Sequence, residues 1–176
     1  MNAPSPIEVE QVVEFKLNGA DVAAHPGETL IEVADRLGVA IPRLCYKPGM
    51  RADGNCRACM VEIKGERVLA PSCCRHPSKG MEVTSDSPRA VHAQKTIVEL
   101  LAADVSDKVY KLNSELKSWK DQIGIGKPRF ARRAQPAPDL SHPAMAVNLD
   151  ACIQCTRCVR ACREVQVNDV IGYAFR

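Results

Sequence analysis

Aromatic residues are scarce. Phe, Tyr and Trp make up 4% of the 176 residues, and Trp119 is the only tryptophan. So few rings leave little for stacking on nucleic-acid bases. An excess of charge of one sign is also missing. The 24 Lys and Arg face 21 Asp and Glu, and the formal charge of +3 is too small to imply a polyanionic partner by itself. No run of about 18 apolar residues occurs, so no membrane-spanning helix is expected. The opening MNAPSPIEVEQ lacks basic and apolar stretches, which argues against a secretory signal, and its acidic residues argue against a transit peptide. A cytoplasmic chain is expected. It also lacks the glycine pattern of a dinucleotide-binding strand–turn–helix. The length fits one domain or two small ones, with no room for a large cofactor-binding catalytic domain as well. Hydrophobic residues, at 45%, are enough for a packed core.

The abundance is in cysteine, with nine residues. In a reducing compartment, cysteines are metal ligands more often than crosslinks, and an odd count does not fit a fully paired disulfide framework. They form two groups. Cys45, Cys56, Cys59, Cys73 and Cys74 lie in the first half, and Cys152, Cys155, Cys158 and Cys162 near the end, while residues 75–151 hold none. Two metal modules joined by a spacer are expected.

The first module reads as mixed α and β. Val12, Val13, Phe15 and Leu17 suggest a strand, Asn18-Gly19 a hairpin turn, and Asp21 to Ala24 its partner. Pro26-Gly27 ends that strand. Thr29 with Glu32 three residues on reads as a capping box, opening a helix with Leu30, Val33, Ala34 and Leu37 on its apolar face and Gly38 at its end. A loop with Pro42, Pro48, Gly49 and Gly54 carries the first three cysteines. Met60 to Ile63, Val68 to Ala70 and Met81 to Thr84 read as strands. Hairpin, helix, long loop and further strands is the order of a β-grasp, so the fold class expected is α+β.

Two helices are expected next. One runs from Pro88 to Ala103, with Val91, Ile97, Val98 and Leu101 inward. The other runs from Ser106 to Ile123 and carries Val109, Leu112, Leu116 and Trp119 at steps of three and four, after Val105. Residues 124–143, with Pro128, Pro136, Pro138 and Pro143, read as a linker. Lys127, Arg129, Arg132 and Arg133 make it basic; it is either a solvated connector or, as the sharper reading, a nucleic-acid patch. The expected division is 10–87, 88–123, 124–143 and 144–176.

Cys45-x10-Cys56-x2-Cys59-x13-Cys73 supplies four thiolates, the donor set of a [2Fe-2S] cluster. Gly54 beside the pair allows close backbone approach, and backbone N–H groups aimed at sulfur would tune the potential. The alternative is a four-cysteine zinc site, although such sites usually use two short Cys-x2–4-Cys knuckles and only one occurs here. Spacing favours Cys73 as the ligand and leaves Cys74 as a buried thiol. Cys152-x2-Cys155-x2-Cys158-x3-Cys162 has the spacing of a bacterial-type [4Fe-4S] run. In two-cluster ferredoxins the fourth cysteine of such a run ligates the other cluster, so a second run is needed, and none follows. Arg163 stands where the usual proline would be. The [4Fe-4S] site is therefore expected to be incomplete or labile in this chain. His25, His76, His92 and His142 show no ligand spacing.

These cysteines and the helices after them resemble the N-terminal region of the 75-kDa (G) component of complex I, of NAD-reducing hydrogenase diaphorase subunits and of NAD-dependent molybdenum or tungsten formate dehydrogenase α subunits. The resemblance covers residues 12–176. The tail VNLDACIQCTRCVRACREVQVNDVIGYAFR most resembles the formate dehydrogenase α subunit. Complex I relatives carry a His-x3-Cys-x2-Cys-x5-Cys site after the first spacer helix. Here His92 has no cysteine near it, and residues 101–126 hold neither Cys nor His.

The resemblance implies an iron–sulfur electron-transfer module, part of an oxidoreductase. Electrons from formate oxidation would pass through it towards a flavin and NAD on a partner subunit. It is not expected to oxidise formate alone, because the pterin-binding catalytic domain and the second cysteine run are missing.

Overall fold

A computed structural model describes residues 12–106, 108, 113–132 and 134–173. Strands β1 (Val13–Leu17) and β2 (Ala20–Ala24) form the expected hairpin. Its turn needs positive φ twice, at Asn18 (51°) and Gly19 (83°), which is why an Asn-Gly pair stands there. Helix α1 (Leu30–Arg36) follows. The Thr29 N–H and hydroxyl both donate to the Glu32 carboxylate at 2.8 Å, capping its first turn. Strands β3 (Met60–Ile63), β4 (Ala70–Pro71) and β5 (Glu82–Thr84) complete a sheet ordered β2-β1-β5-β3-β4. β1 and β5 are parallel and the other pairs antiparallel, the arrangement of a β-grasp. Leu30, Ile31, Val33 and Ala34 of α1 are fully buried with Phe15, Leu17, Val61 and Val83 of the sheet.

The third expected strand is displaced. Val68 is exposed, and β4 begins at Ala70 because Met60 pairs Pro71 and Val61 pairs Ala70. That register turns Ala70 into the core.

Helix α2 (Pro88–Asp104) matches its expected span, with the Ser87 hydroxyl accepting from the Ala90 N–H. Buried Gln94 fastens it to the sheet by donating to the Met60 and Ser85 carbonyls at 2.8 and 2.9 Å. His92 lies on its exposed side.

The second expected helix is shorter. Helix α3 is Glu115–Gln122, started by Ser114, whose hydroxyl accepts from Lys117 N–H at 3.3 Å. Asn113 and Ser114 are non-helical, as capping residues that compete for backbone groups tend to be. Val109 and Leu112 lie outside the described residues. Leu116 is buried and Trp119 half-buried in a second core with Leu44, Ala58, Val98 and Ile153.

The segment after α3 is not a free connector. Ile123 and Ile125 pack on that second core, and Arg129 clasps Glu99 of α2. The Arg129 backbone N–H donates to Glu99 at 2.8 Å, and its guanidinium engages both carboxylate oxygens at 2.7–3.1 Å. A strand pair, β6 (Asp139–His142) and β7 (Met145–Val147), also occupies what reads as linker. All seven of its residues are exposed, so no alternation of buried and exposed positions announces it.

The Arg129 hydrogen bonds hold the Glu99 carboxyl down at about 2, against an ordinary 4.5. A depressed carboxyl contributes stability in full above its unfolded pKa and loses it as pH falls towards the folded one. Glu99→Gln should therefore lower the melting temperature by a constant amount from pH 7 down to about 4.5, and by less at pH 3. Thermal unfolding across that range checks it; an equal gap at pH 3 and pH 7 would refute the assignment.

The candidate iron–sulfur site

Cys45 follows Leu44 within the long loop between α1 and β3, Cys56 and Cys59 flank Arg57 and Ala58 at the end of that loop, and Cys73 follows β4. Cys45, Cys59 and Cys73 are buried and Cys56 half-buried. The second core holds Leu44 and Ala58, and the sheet core holds Cys59 and Cys73, so packing on both sides fixes the backbone that carries the thiols.

The four sulfurs adjoin one another in a chain, Cys56 to Cys45 to Cys73 to Cys59. Cys45 hydrogen-bonds first to Cys56 and then to Cys73, which holds its thiol far down, at about 2. Cys59 hydrogen-bonds to Cys73 and is held at about 7. Cys56 and Cys73 are pushed up, led in each case by the thiol bonds to Cys45. Backbone N–H groups converge on the same sulfurs: Cys45 N–H donates to Cys56 Sγ at 3.4 Å, and Ala58, Asn55 and Cys73 supply others. Among the described residues, no three His, Cys, Asp or Glu close around a single metal ion. Four adjoining thiols are what a two-iron centre takes, two per iron, and N–H donors offset the negative charge on sulfur. The donor set fits a [2Fe-2S] cluster.

Cys74 departs from its expected burial: it is exposed, with Sγ 3.5 Å from that of Cys73. It sits in the turn that follows β4, where its N–H donates to the Pro71 carbonyl at 3.1 Å, and this turn leaves its side chain on the outside. Gly54 packs beneath it. A Cβ on Gly54 would stand 2.9 Å from Cys74 Sγ, and its φ of +61° is left-handed. Gly54→Ala should cost about 1–2 kcal/mol from the backbone alone. In a Cys74→Ala background the steric part of the loss should disappear and the backbone part remain. Denaturant unfolding of the four proteins checks this; full recovery would show that φ is not the constraint.

In the C-terminal group, Cys152 and Cys155 are half-buried, Cys158 exposed and Cys162 buried. The Tyr173 phenol is pushed up first by burial and then by Cys158, Cys152 and Cys155, which therefore face one region. Cys158 lies in helix α4 (Arg157–Arg160), and Cys162 in the π-helical turn Ala161–Val165 that follows.

Sequence reading missed how this segment docks on the first loop. Thr156 Oγ1 bonds to Asp53 Oδ2 at 3.0 Å and accepts from Asn55 Nδ2 at 3.1 Å. Arg157 donates to the Tyr46 carbonyl at 2.7 Å and pairs with Glu115 of α3. Arg51 donates to Glu164 at 3.1 Å. The available signal was the set of arginines interleaved with the last cysteines.

Residues 10–88 match the family model of the 2Fe-2S iron–sulfur cluster binding domain. The chain is 31% identical over 163 residues to the G 2 component of the NADH-quinone oxidoreductase of Rhizobium meliloti (strain 1021), covering 88% of this chain and 19% of that protein. It is 30% identical over 183 residues to the mitochondrial NADH dehydrogenase [ubiquinone] iron-sulfur protein 1 of Solanum tuberosum, covering 100% and 24%. The chain thus spans about a fifth to a quarter of the curated relatives it matches. In a crystal structure of an NAD+-reducing [NiFe]-hydrogenase, one chain superposes with a TM-score of 0.81 at 28% identity, over 93% of this chain and 71% of that one. Residues 10–88 are a 2Fe-2S iron–sulfur cluster binding domain, in a chain homologous to the G component of NADH-quinone oxidoreductase and to a subunit of NAD+-reducing hydrogenase.

Proposed function

We propose that this chain is an electron-transfer module of an NAD-linked oxidoreductase, with Cys45, Cys56, Cys59 and Cys73 as the ligands of its [2Fe-2S] cluster. The meeting of these four thiols, from two chain segments, at one N–H-lined site carries the reading. When bound, such a cluster stores and releases single electrons. Burial of Cys45, Cys59 and Cys73 keeps water from those sulfurs, and the N–H donors stabilise the thiolate form. Cys152, Cys155 and Cys158 serve a [4Fe-4S] cluster, for which Cys162 is the candidate fourth ligand.

The tail sequence, and the lack of Cys and His across residues 101–126, support placing the chain in a formate dehydrogenase. Electrons from formate would then pass towards a flavin- and NAD-binding subunit in the cytoplasm. A second reading, a subunit of an NAD-reducing hydrogenase or of a complex I-like enzyme, is favoured by the likeness to the hydrogenase chain and to the NADH-quinone oxidoreductase component. A tag on this chain would recover its native complex for assay. Formate-dependent dye reduction by that complex is the expected result; reduction driven by H2 or only by NADH would transfer the chain to the second reading.

Anaerobic reconstitution tests the cofactors. About two irons with a rhombic paramagnetic signal after reduction are expected to survive desalting, and about six irons would make Cys162 a working fourth ligand. A colourless zinc-loaded protein would refute the iron–sulfur reading.

A further inference from the structure

Arg160, on α4 between Cys158 and Cys162, is 4% exposed and carries a charge into the interior. Its guanidinium donates to the carbonyl of Cys45, to the Arg51 carbonyl at 2.5 Å and to Thr156 Oγ1 at 3.2 Å. Every one of these acceptors is neutral. Among the described residues no carboxylate pairs with it, and nearby Asp53 and Glu164 are engaged by Arg51, at 3.9 and 3.1 Å. A buried cation without a counter-charge costs several kcal/mol. Proteins rarely keep one unless a negative charge stands close by.

The site beside it supplies that charge. Four thiolates and two bridging sulfides outweigh two ferric irons, so a [2Fe-2S] centre is an anion, and one added electron makes it more negative. A cation held against the carbonyl of a ligand residue favours the reduced form more than the oxidised one.

The link to the last cysteines is built in. Thr156 sits at φ +64°, a left-handed conformation that is costly for a β-branched residue. Its bonds to Asp53, Asn55 and Arg160 hold it there. Cys155 and Cys158 flank this strained residue, and Cys158 and Cys162 flank Arg160, so the loop that carries them also aims Arg160 at Cys45.

We propose that Arg160 is a positioning residue of the [2Fe-2S] site, raising its reduction potential from the buried side and tying it to the C-terminal cysteine run. This rests on Cys45, Cys56, Cys59 and Cys73 being the cluster ligands. The test is a redox titration of the full reconstituted chain, followed by the paramagnetic signal of the reduced [2Fe-2S] centre. Arg160→Gln should move the midpoint to more negative potential, and Arg160→Lys, which keeps the charge, should restore most of it. Arg51→Gln, whose side chain is 65% exposed, should leave it in place, because solvent screens that charge.

An unchanged midpoint in Arg160→Gln with its cluster intact would overturn the proposal, as would an equal shift in Arg51→Gln. If Arg160→Gln fails to load, Arg160→Lys decides. A retained signal near the wild-type potential supports the role, and loss of the signal there too would make Arg160 purely structural. A wild-type chain without the signal would instead overturn the ligand assignment, a failure visible before any variant is compared.

Discussion

Cys56→Ala is expected to abolish the reduced [2Fe-2S] signal entirely, while Cys74→Ala leaves it intact. Cys56 is the thiol most tightly tied to Cys45, through both its side chain and the Cys45 N–H. Its loop, residues 51–59, contains no regular strand or helix, so few backbone bonds hold it without the metal. Loss of one thiolate should therefore release iron and loosen the loop together. Cys74 is exposed, and its Sγ lies 3.5 Å from that of Cys73. Iron content and the paramagnetic signal, measured on both variants after the same anaerobic reconstitution, check the pair of outcomes. Signal lost in Cys74→Ala and kept in Cys73→Ala would show that the neighbouring thiol is the ligand.

Leu44→Ala is expected to be the most damaging apolar change near the site. Leu44 is 1% exposed and belongs to the second core with Ala58, Val98 and Leu116. Its neighbour Cys45 and the Cys56–Cys59 segment both ride on that core. Truncation leaves a cavity and should cost about 2–5 kcal/mol of unfolding free energy. It should also speed iron loss to a chelator, because the two chain segments that bring Cys45 and Cys56 together would no longer be held from below. Equal destabilisation without faster iron loss would mean that the helices stabilise the chain but do not support the site. Denaturant unfolding and chelation kinetics on the same sample separate the two.

Much of the first module was legible because its signals are local. Asn18-Gly19 and Thr29 with Glu32 each act within one turn of chain, as does Pro88 at the start of the next helix, and each element forms where they stand. The cysteine spacing was legible for a related reason: Cys56 and Cys59 are candidate ligands that one tight loop can present together. The helix expected from Ser106 failed because an apolar period says nothing about where a cap interrupts it. At Ser114 a local hydroxyl–amide bond sets the start of α3. The expected burial of Cys74 failed because it lies in the turn after β4, and how that turn closes on the Pro71 carbonyl is not written in the cysteine spacing.

The sequence by itself determined the thiols, their spacing and the elements that flank them, since these follow from side-chain chemistry and short-range backbone geometry. Only the tertiary structure decided how segments about a hundred residues apart meet. Thr156 on Asp53 and Asn55, and Arg160 on the Cys45 and Arg51 carbonyls, are contacts between neutral or singly charged groups that carry no periodic trace in the chain. Nor did composition mark Glu99 and Arg129 as a pair among 24 basic and 21 acidic residues. Such partners are selected by where packing of the two cores brings the chain, and that depends on every residue of those cores at once.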